Sequence, residues 1–229
     1  MKTYEQYRSE LLSDPDLKYN AFNNPIVNCE YKTYGVRTPV IKKLANSVPL
    51  AERDAVLDGF YSDADLTYET VLFAACAACK KGDYEKTHEH LRRIIPMFAS
   101  WAHVDVIAPC LKWVDKKRFL DDFRYLLDCD GQYERRMYVI FMLSNCMTDE
   151  LIDFVVDTVK TVRLGEYYVD MAVAWLVCEG LIKHYEKFIP LIENKTFSAF
   201  VHNKAIQKAR ESFRVSEARK ASLAALKIK

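Results

Sequence analysis

Hydrophobic residues recur at helical spacing along most of the chain. Between residues 36 and 46 the apolar positions fall near one side of a helix, with Pro39 in its first turn: Val36, Val40, Ile41 and Leu44. The segment Tyr68–Cys79 is apolar nearly all round, as is typical of a helix buried on several sides. We find no convincing alternation of a β-strand. The pattern therefore predicts an all-α protein.

The same spacing predicts roughly ten to twelve helices joined by short connections. We expect a break near Pro109, and Ser100 and Ser216 can cap the helices that follow them. Paired helices stacked in a row form a HEAT-like, armadillo-type solenoid with a concave face, and a globular helix bundle is the alternative. The predicted ranges are 36–46, 50–60, 68–79, 83–97, 101–113, 117–127, 133–146, 150–162, 167–184, 186–192, 199–213 and 216–226.

Length and composition narrow the class further. A chain of 229 residues forms one compact domain or one continuous repeat array, and 6 glycines and 7 prolines are too few for a loop-rich β-scaffold. No apolar run is long enough to span a bilayer, and the N-terminus has no apolar signal core. Seven irregularly spaced cysteines indicate a reducing compartment. We expect a cytoplasmic monomer with no membrane contact.

The charge is distributed unevenly although the net charge is only +1. Residues 1–200 carry 25 Lys and Arg against 30 Asp and Glu, whereas residues 201–229 carry 8 against 2. A basic end can meet an anion such as nucleic acid, and it can also be a solvated helix face. Charge alone leaves both interpretations open.

Most familiar catalytic motifs are missing. The sequence has no phosphate-binding glycine loop, no Gly-x-Ser-x-Gly and no dinucleotide fingerprint. Cys76 and Cys79 lie in an alanine-rich apolar segment, so we interpret them as buried small residues rather than as metal ligands. His88 and His90 lie two apart in a charged stretch and are predicted to be at the surface. We expect neither a metal nor a cofactor.

Three polar and aromatic features stand out. Trp101 and Asp105 are four residues apart and share one side of a helix. Arg135 and Arg136 open an otherwise apolar helix, and Trp175 lies in a helix of small apolar residues. Taken one at a time, these are two core tryptophans, a surface carboxylate and a solvated arginine pair.

Taken in order, the same residues resemble the AlkD-type DNA alkylation repair proteins, a family of HEAT-like-repeat DNA glycosylases. The family pattern has Trp-x-x-x-Asp, then an Arg, then a second Trp, which here are Trp101, Asp105, Arg136 and, 39 residues later, Trp175. The segment Gly35–Pro39 resembles the family's Gly-Val-Arg-x-Pro signature, and residues 203–212 resemble its basic C-terminal helix. The resemblance implies a single domain over residues 1–229, with a divergent helical segment at 1–33 and an AlkD-like core at 34–229.

The family's chemistry suits these residue types. An N3- or N7-alkylated purine is cationic, so its glycosidic bond is already weak and little acid catalysis is needed. The resemblance implies that Asp105 stabilises the cationic sugar and positions water, without deep base flipping. It also implies double-stranded DNA as the partner, contacted by the remaining candidate residues: Trp101, Arg135, Arg136, Trp175, Lys204, Lys208 and Arg210.

One segment departs from the family. Its active members have a longer N-terminal region with a small-x-Tyr-Met-Lys step that meets the damaged strand, whereas this chain has Leu17–Ile26 in that place. This indicates a short branch of the family. Three functions therefore stay open: a glycosylase for alkylated purines, a non-catalytic protein that binds structured or damaged DNA, and a protein–protein scaffold.

Overall fold

The computed structural model describes residues 2–229. Within this range the chain forms fourteen α-helices and no β-strand, which confirms the predicted all-α class. Lys32 and Thr67 form only an isolated bridge. The chain divides into two compact units, residues 1–114 and residues 115–229.

The first unit is organised around helix α5. All 11 residues of α5 are buried, in agreement with its largely apolar sequence, and the helix packs against α3, α4, α6 and α7. Short 3₁₀ turns at Ile95–Met97 and Ala108–Leu111 extend α6 and α7. The helices of this unit are α1 (Tyr4–Leu11), α2 (Leu17–Val27), α3 (Thr38–Ser47), α4 (Arg53–Tyr61), α5 (Tyr68–Ala78), α6 (Tyr84–Ile94) and α7 (Trp101–Ile107).

The second unit is organised around α11, its longest helix with 17 residues. Helix α11 packs against α9, α12 and α13. A 3₁₀ turn at Arg124–Leu127 follows α8. The helices of this unit are α8 (Lys116–Asp122), α9 (Gln132–Asn145), α10 (Ile152–Val159), α11 (Tyr167–Lys183), α12 (Tyr185–Glu193), α13 (Ala199–Glu211) and α14 (Glu217–Ala225).

Several hydrogen bonds in each unit join residues about 35 positions apart, which is consistent with a helical-repeat solenoid. In the first unit, Trp113 donates to the carbonyl of Cys79, 34 residues earlier, and Lys80 to that of Val48, 32 residues earlier. In the second unit, Arg163 donates to the carbonyl of Cys129, 34 residues earlier, and Arg214 to Glu179, 35 residues earlier. Contacts between neighbouring repeats of fixed length are typical of helical-repeat proteins.

The N-terminal segment holds two helices whose bounds the pattern did not predict. Helix α2 buries only Val27 and contains Pro25, so it lacks an apolar stripe that periodicity can detect. With α1 and α2 the described residues hold fourteen helices instead of the predicted ten to twelve. The break predicted in residues 101–113 is confirmed, because α7 ends at Ile107 and continues as a 3₁₀ turn through Pro109.

The loop that precedes α3 is fixed by a buried carboxylate. Oε1 of Glu69 on α5 accepts hydrogen bonds from the main-chain N–H groups of Tyr34, Gly35 and Val36, at 2.8, 2.8 and 3.3 Å. Gly35 has a φ of +82°, and a Cβ atom there would lie 2.5 Å from the carbonyl oxygen of Asp16. Only glycine fits this position without strain.

The predicted caps are present. The hydroxyl of Ser100 accepts from the N–H of Ala102, and that of Ser216 accepts from the N–H of Arg219. Among residues 2–229, no helix combines the length and the apolar character needed to cross a membrane.

Candidate functional site

Helix α7 in the first unit carries Trp101 and Asp105 on one side. The two residues are four positions apart, and both side chains are half-buried, so each is partly open to solvent. The carboxylate therefore lies one helical turn beyond the indole, and a molecule outside the unit can reach it.

The end of helix α2 fixes the position of Trp101. The indole Nε1–H donates to the carbonyl oxygen of Ile26 at 3.0 Å, and the hydroxyl of Ser100 donates to that of Val27 at 2.5 Å. Ile26 and Val27 lie in the last turn of α2, where carbonyl groups have no partner within the helix. Two carbonyls that the helix itself leaves unpaired thus orient the start of α7.

His103 attaches α7 to α5 from the buried side. Its Nε2 lies 3.1 Å from the carbonyl oxygen of Tyr68, its Nδ1 accepts from the N–H of Ala99 at 3.3 Å, and its ring stacks on that of Tyr68 with centroids 4.8 Å apart. These partners require a neutral ring with the proton on Nε2. Burial lowers the pKa of His103 from 6.5 to about 4.

The two candidate arginines of α9, Arg135 and Arg136, are buried in the second unit. Arg135 is 1% exposed, forms an ion pair of 2.5 Å with Glu166 and donates to the carbonyl of Asp130. Arg136 is 5% exposed and donates to the carbonyl oxygen of Tyr168 at 2.5 Å. Neither is the solvated surface arginine that local sequence suggested. Arg135 would have to leave Glu166 to reach a phosphate, so its placement favours support of α9.

Trp175 is 38% exposed on α11, and a second carboxylate lies one turn further along. Arg214 holds this carboxylate, Glu179, through two hydrogen bonds of 2.5 and 3.0 Å, and Lys183 lies 3.6 Å away. Burial acts to raise the pKa of Glu179, but the two cations outweigh it and the pKa is lowered. Glu179 is therefore an ion-paired carboxylate at neutral pH.

The basic residues of α13 do not all share one side. Lys204 and Lys208 are one turn apart and half-buried, and Lys204 donates to Gln207 at 3.1 Å. Arg210 is exposed and lies two positions after Lys208, which places it roughly 200° around the helix from that lysine. A ligand that contacts Lys204 and Lys208 together approaches from a direction that Arg210 does not face.

The candidate residues thus form two groups, each described within its own unit. Trp101 and Asp105 belong to the first unit, and the arginines, Trp175 and the α13 lysines belong to the second. Their convergence on one concave face stays a prediction. Sequence reasoning missed Glu179, although Trp175-x-x-x-Glu179 repeats the spacing of Trp101-x-x-x-Asp105. No sequence pattern predicted that the main-chain carbonyl of Ile26 would bind the indole of Trp101.

Two other sequence interpretations can be compared with the structure. Cys76 and Cys79 are buried, as predicted, and burial raises the pKa of both thiols. The prediction that His90 is a surface residue is wrong, because only 5% of this residue is exposed and its ring lies between two polar partners. Its Nδ1 lies 3.0 Å from the hydroxyl of Tyr61 and its Nε2 3.2 Å from Oδ1 of Asp54. Polar pairing makes burial of this imidazole compatible with folding.

Comparison with known proteins adds evidence that is independent of the geometry. No curated protein sequence matches the chain at a significant level. The sequence profile described as DNA alkylation repair enzyme matches residues 12–211, which include most of both units and every candidate residue. The match begins inside the segment 1–33 that the sequence had marked as divergent. A match over this much of the chain establishes that the protein belongs to the family of DNA alkylation repair enzymes.

Proposed function

We propose that this protein is a monofunctional DNA glycosylase that removes cationic N3- or N7-alkylated purines from double-stranded DNA. The observation that carries the proposal is the pair of Trp101 and Asp105, half-buried on one side of α7 in a chain of the alkylation repair family. A carboxylate and an indole side by side suit a reaction in which positive charge develops on a sugar.

The proposed reaction is hydrolysis of the N-glycosidic bond. The bond between C1′ and the purine nitrogen breaks, and its electron pair leaves with the base and neutralises the charge of the alkylated ring. Positive charge then develops on the deoxyribose, where the Asp105 carboxylate stabilises it electrostatically. Water adds to C1′ and releases its proton to the solvent. Asp105 orients this water. The base needs no proton donor because it leaves as a neutral molecule, and in this proposal it is not drawn into a deep pocket.

The remaining residues position the DNA in this proposal. Trp101 and Trp175 pack against the deoxyribose and backbone at the lesion, and Arg136 contacts a phosphate from the position that its bond to Tyr168 gives it. Lys204 and Lys208 add phosphate contacts from one side of α13, Arg210 adds one from another direction, and Arg135 supports α9. We propose a monomer that works in the cytoplasm, where its seven free thiols stay reduced.

A non-catalytic DNA-binding protein is the second candidate, and one observation favours it. Residues 17–26 replace the step that meets the damaged strand in active relatives, and α2 exposes Leu17, Phe22 and Ile26 instead. In that case the same residues bind structured or damaged DNA without base excision.

Incubation with duplex DNA methylated in vitro, followed by assay of released bases, separates the two candidates. The glycosylase proposal predicts release of 3-methyladenine or 7-methylguanine by the wild-type protein. Binding of the methylated duplex without any release supports the non-catalytic candidate, and the absence of both binding and release supports a protein–protein scaffold.

A further inference from the structure

The first unit contains a basic groove that the sequence analysis did not identify. It has a volume of about 350 Å³ and lies between α3, the end of α5 and the segment after α7. Four lysines line it, and none of the described residues in its lining is acidic: Lys42, Lys80, Lys81 and Lys112. These lysines come from three separate segments of the sequence, and residues 1–200 as a whole carry more acidic than basic residues, so composition does not reveal the groove.

The floor of the groove is apolar and its rim is cationic. Cys76 is buried and Cys110 and Trp113 are half-buried, so we assign these three side chains to the floor. Lys80 is oriented by the protein itself, because its ammonium group donates to the carbonyls of Asn46 and Val48 at 2.8 and 2.6 Å, near the end of α3. A cationic rim above an apolar floor suits a ligand with an anionic edge and an apolar body, as in a phosphate–deoxyribose chain.

The groove continues from the helix that carries Asp105. Lys112 follows Asp105 by seven residues along α7 and its 3₁₀ extension, a rise of roughly 10–12 Å. That distance corresponds to about three base-pair steps along one DNA strand. A strand whose sugar lies at Asp105 would reach the groove a few nucleotides away.

We propose that this groove binds the phosphodiester backbone of DNA a few nucleotides from the position of Asp105. The inference rests on the proposed function, and it adds a phosphate-binding surface in the first unit to the predicted contacts of α13. Phosphates there would hold the strand in register on α7 without reading its sequence.

Charge removal at the groove tests the proposal. The triple variant Lys42→Gln, Lys81→Gln and Lys112→Gln keeps much of each side-chain stem and leaves the structural Lys80 intact. Affinity for a fluorescent duplex of about 20 base pairs is measured over a range of salt concentrations. We expect the slope of log affinity against log salt to become shallower by about two to three, and Kd near physiological salt to rise roughly tenfold.

A matched triple variant controls for net charge. Lys117, Lys160 and Lys187 lie in the second unit and pair with Glu150, Asp157 and Asp153 at 2.7, 2.8 and 2.6 Å. Their replacement by Gln changes the charge by the same amount, and we expect a salt slope close to that of the wild type. An equal loss of affinity in both triple variants would overturn the proposal, because net charge would explain it.

A cysteine in the groove provides a second, independent measurement. Cys110 is half-buried in the groove, and Cys129 is half-buried in the second unit. We expect duplex DNA to slow alkylation of Cys110 by a maleimide severalfold and to leave Cys129 unchanged, as read by peptide mass spectrometry. Equal protection of Cys110 by dAMP at the same phosphate concentration would overturn the proposal in favour of a mononucleotide site.

The experiment separates the failure of this inference from that of the proposed function. If charge reversal at Lys204 and Lys208 weakens duplex binding and the groove triple variant binds as the wild type does, the inference alone fails. If the wild-type protein binds no duplex, the proposed function and the inference both fail.

Discussion

The indole N–H of Trp101 donates a hydrogen bond of 3.0 Å to the main-chain carbonyl oxygen of Ile26, 75 residues earlier. The contact links the least predictable helix of the first unit to the residue that begins α7. Because the carbonyl belongs to the last turn of α2, the bond both completes that helix and fixes the angle of the indole ring.

Loss of this bond should affect activity more than stability. Trp101→Phe keeps an aromatic ring but removes the N–H, and water can reach the carbonyl of the exposed Ile26 instead. We expect unfolding free energy to fall by about 1 kcal/mol and base release to fall roughly tenfold through loss of orientation. The control Tyr138→Phe removes a bond of 3.0 Å to the Leu120 carbonyl and should leave base release unchanged. Equal activity of Trp101→Phe and wild type would contradict this role.

Of the two glycines with positive φ, Gly35 should tolerate substitution less well than Gly165. Gly35→Ala places a Cβ atom 2.5 Å from a carbonyl oxygen at a φ of +82° and should destabilise the protein by more than about 2 kcal/mol. Gly165 has a φ of +115°, but a Cβ atom there would meet no other group within 4 Å, so Gly165→Ala should cost only about 1 kcal/mol. Urea denaturation of both variants gives the comparison, and equal losses would contradict the steric argument.

Protonation of His103 should make stability depend on pH. Its pKa is lowered from 6.5 to about 4, so as pH falls below 6.5 the unfolded chain takes up a proton that the folded protein does not. The stability that depends on neutral His103 is present above pH 6.5 and decreases towards pH 4, by up to about 3 kcal/mol. Urea denaturation at pH 7.5, 6 and 5 tests this. The unfolding free energy of His103→Gln should depend less steeply on pH than that of the wild type. An unchanged pH dependence in this variant would mean that other groups cause it.

Substitution of Arg135 should lower stability, whereas substitution of the α13 lysines should weaken DNA binding. Arg135→Gln leaves Glu166 without its buried partner and should reduce unfolding free energy by about 2–4 kcal/mol. The double variant Lys204→Gln and Lys208→Gln should keep the wild-type melting temperature and lose several-fold in duplex affinity. Normal stability of Arg135→Gln together with weakened DNA binding would instead make Arg135 a direct phosphate contact.

The sequence predicted most of the fold because the repeats are held together by apolar helix faces. The nearly all-apolar pattern of residues 68–79 predicted the buried helix α5, and Pro109 predicted the break after α7. The sequence indicated a helical segment at 1–33 but not the bounds of α2, because the contribution of this helix lies in two main-chain carbonyls, which have no sequence signature. Periodicity detects side chains that are buried and cannot detect backbone groups that accept hydrogen bonds.

The candidate site was predictable only in part for a related reason. The four-residue spacing predicted that Trp101 and Asp105 share one side of a helix. Trp175 was identified by its place in the family pattern. The burial of Arg135 depends on Glu166, 31 residues away, and the lysine groove depends on three separate segments. Local sequence therefore indicated that Arg135 and Arg136 are solvated, whereas both are buried. The acidic excess of residues 1–200 likewise gave no indication of a groove lined by lysines.

Single-turnover release of 3-methyladenine from methylated duplex DNA by wild type and Asp105→Asn tests the central proposal most directly. The substitution keeps the shape of the side chain and removes its charge, so we expect at least about a hundredfold slower release with Kd within about threefold of wild type. Asp14→Asn, at an exposed position, serves as the control and should release bases at the wild-type rate. Release by Asp105→Asn at the wild-type rate, or no release by the wild-type protein, would contradict the account.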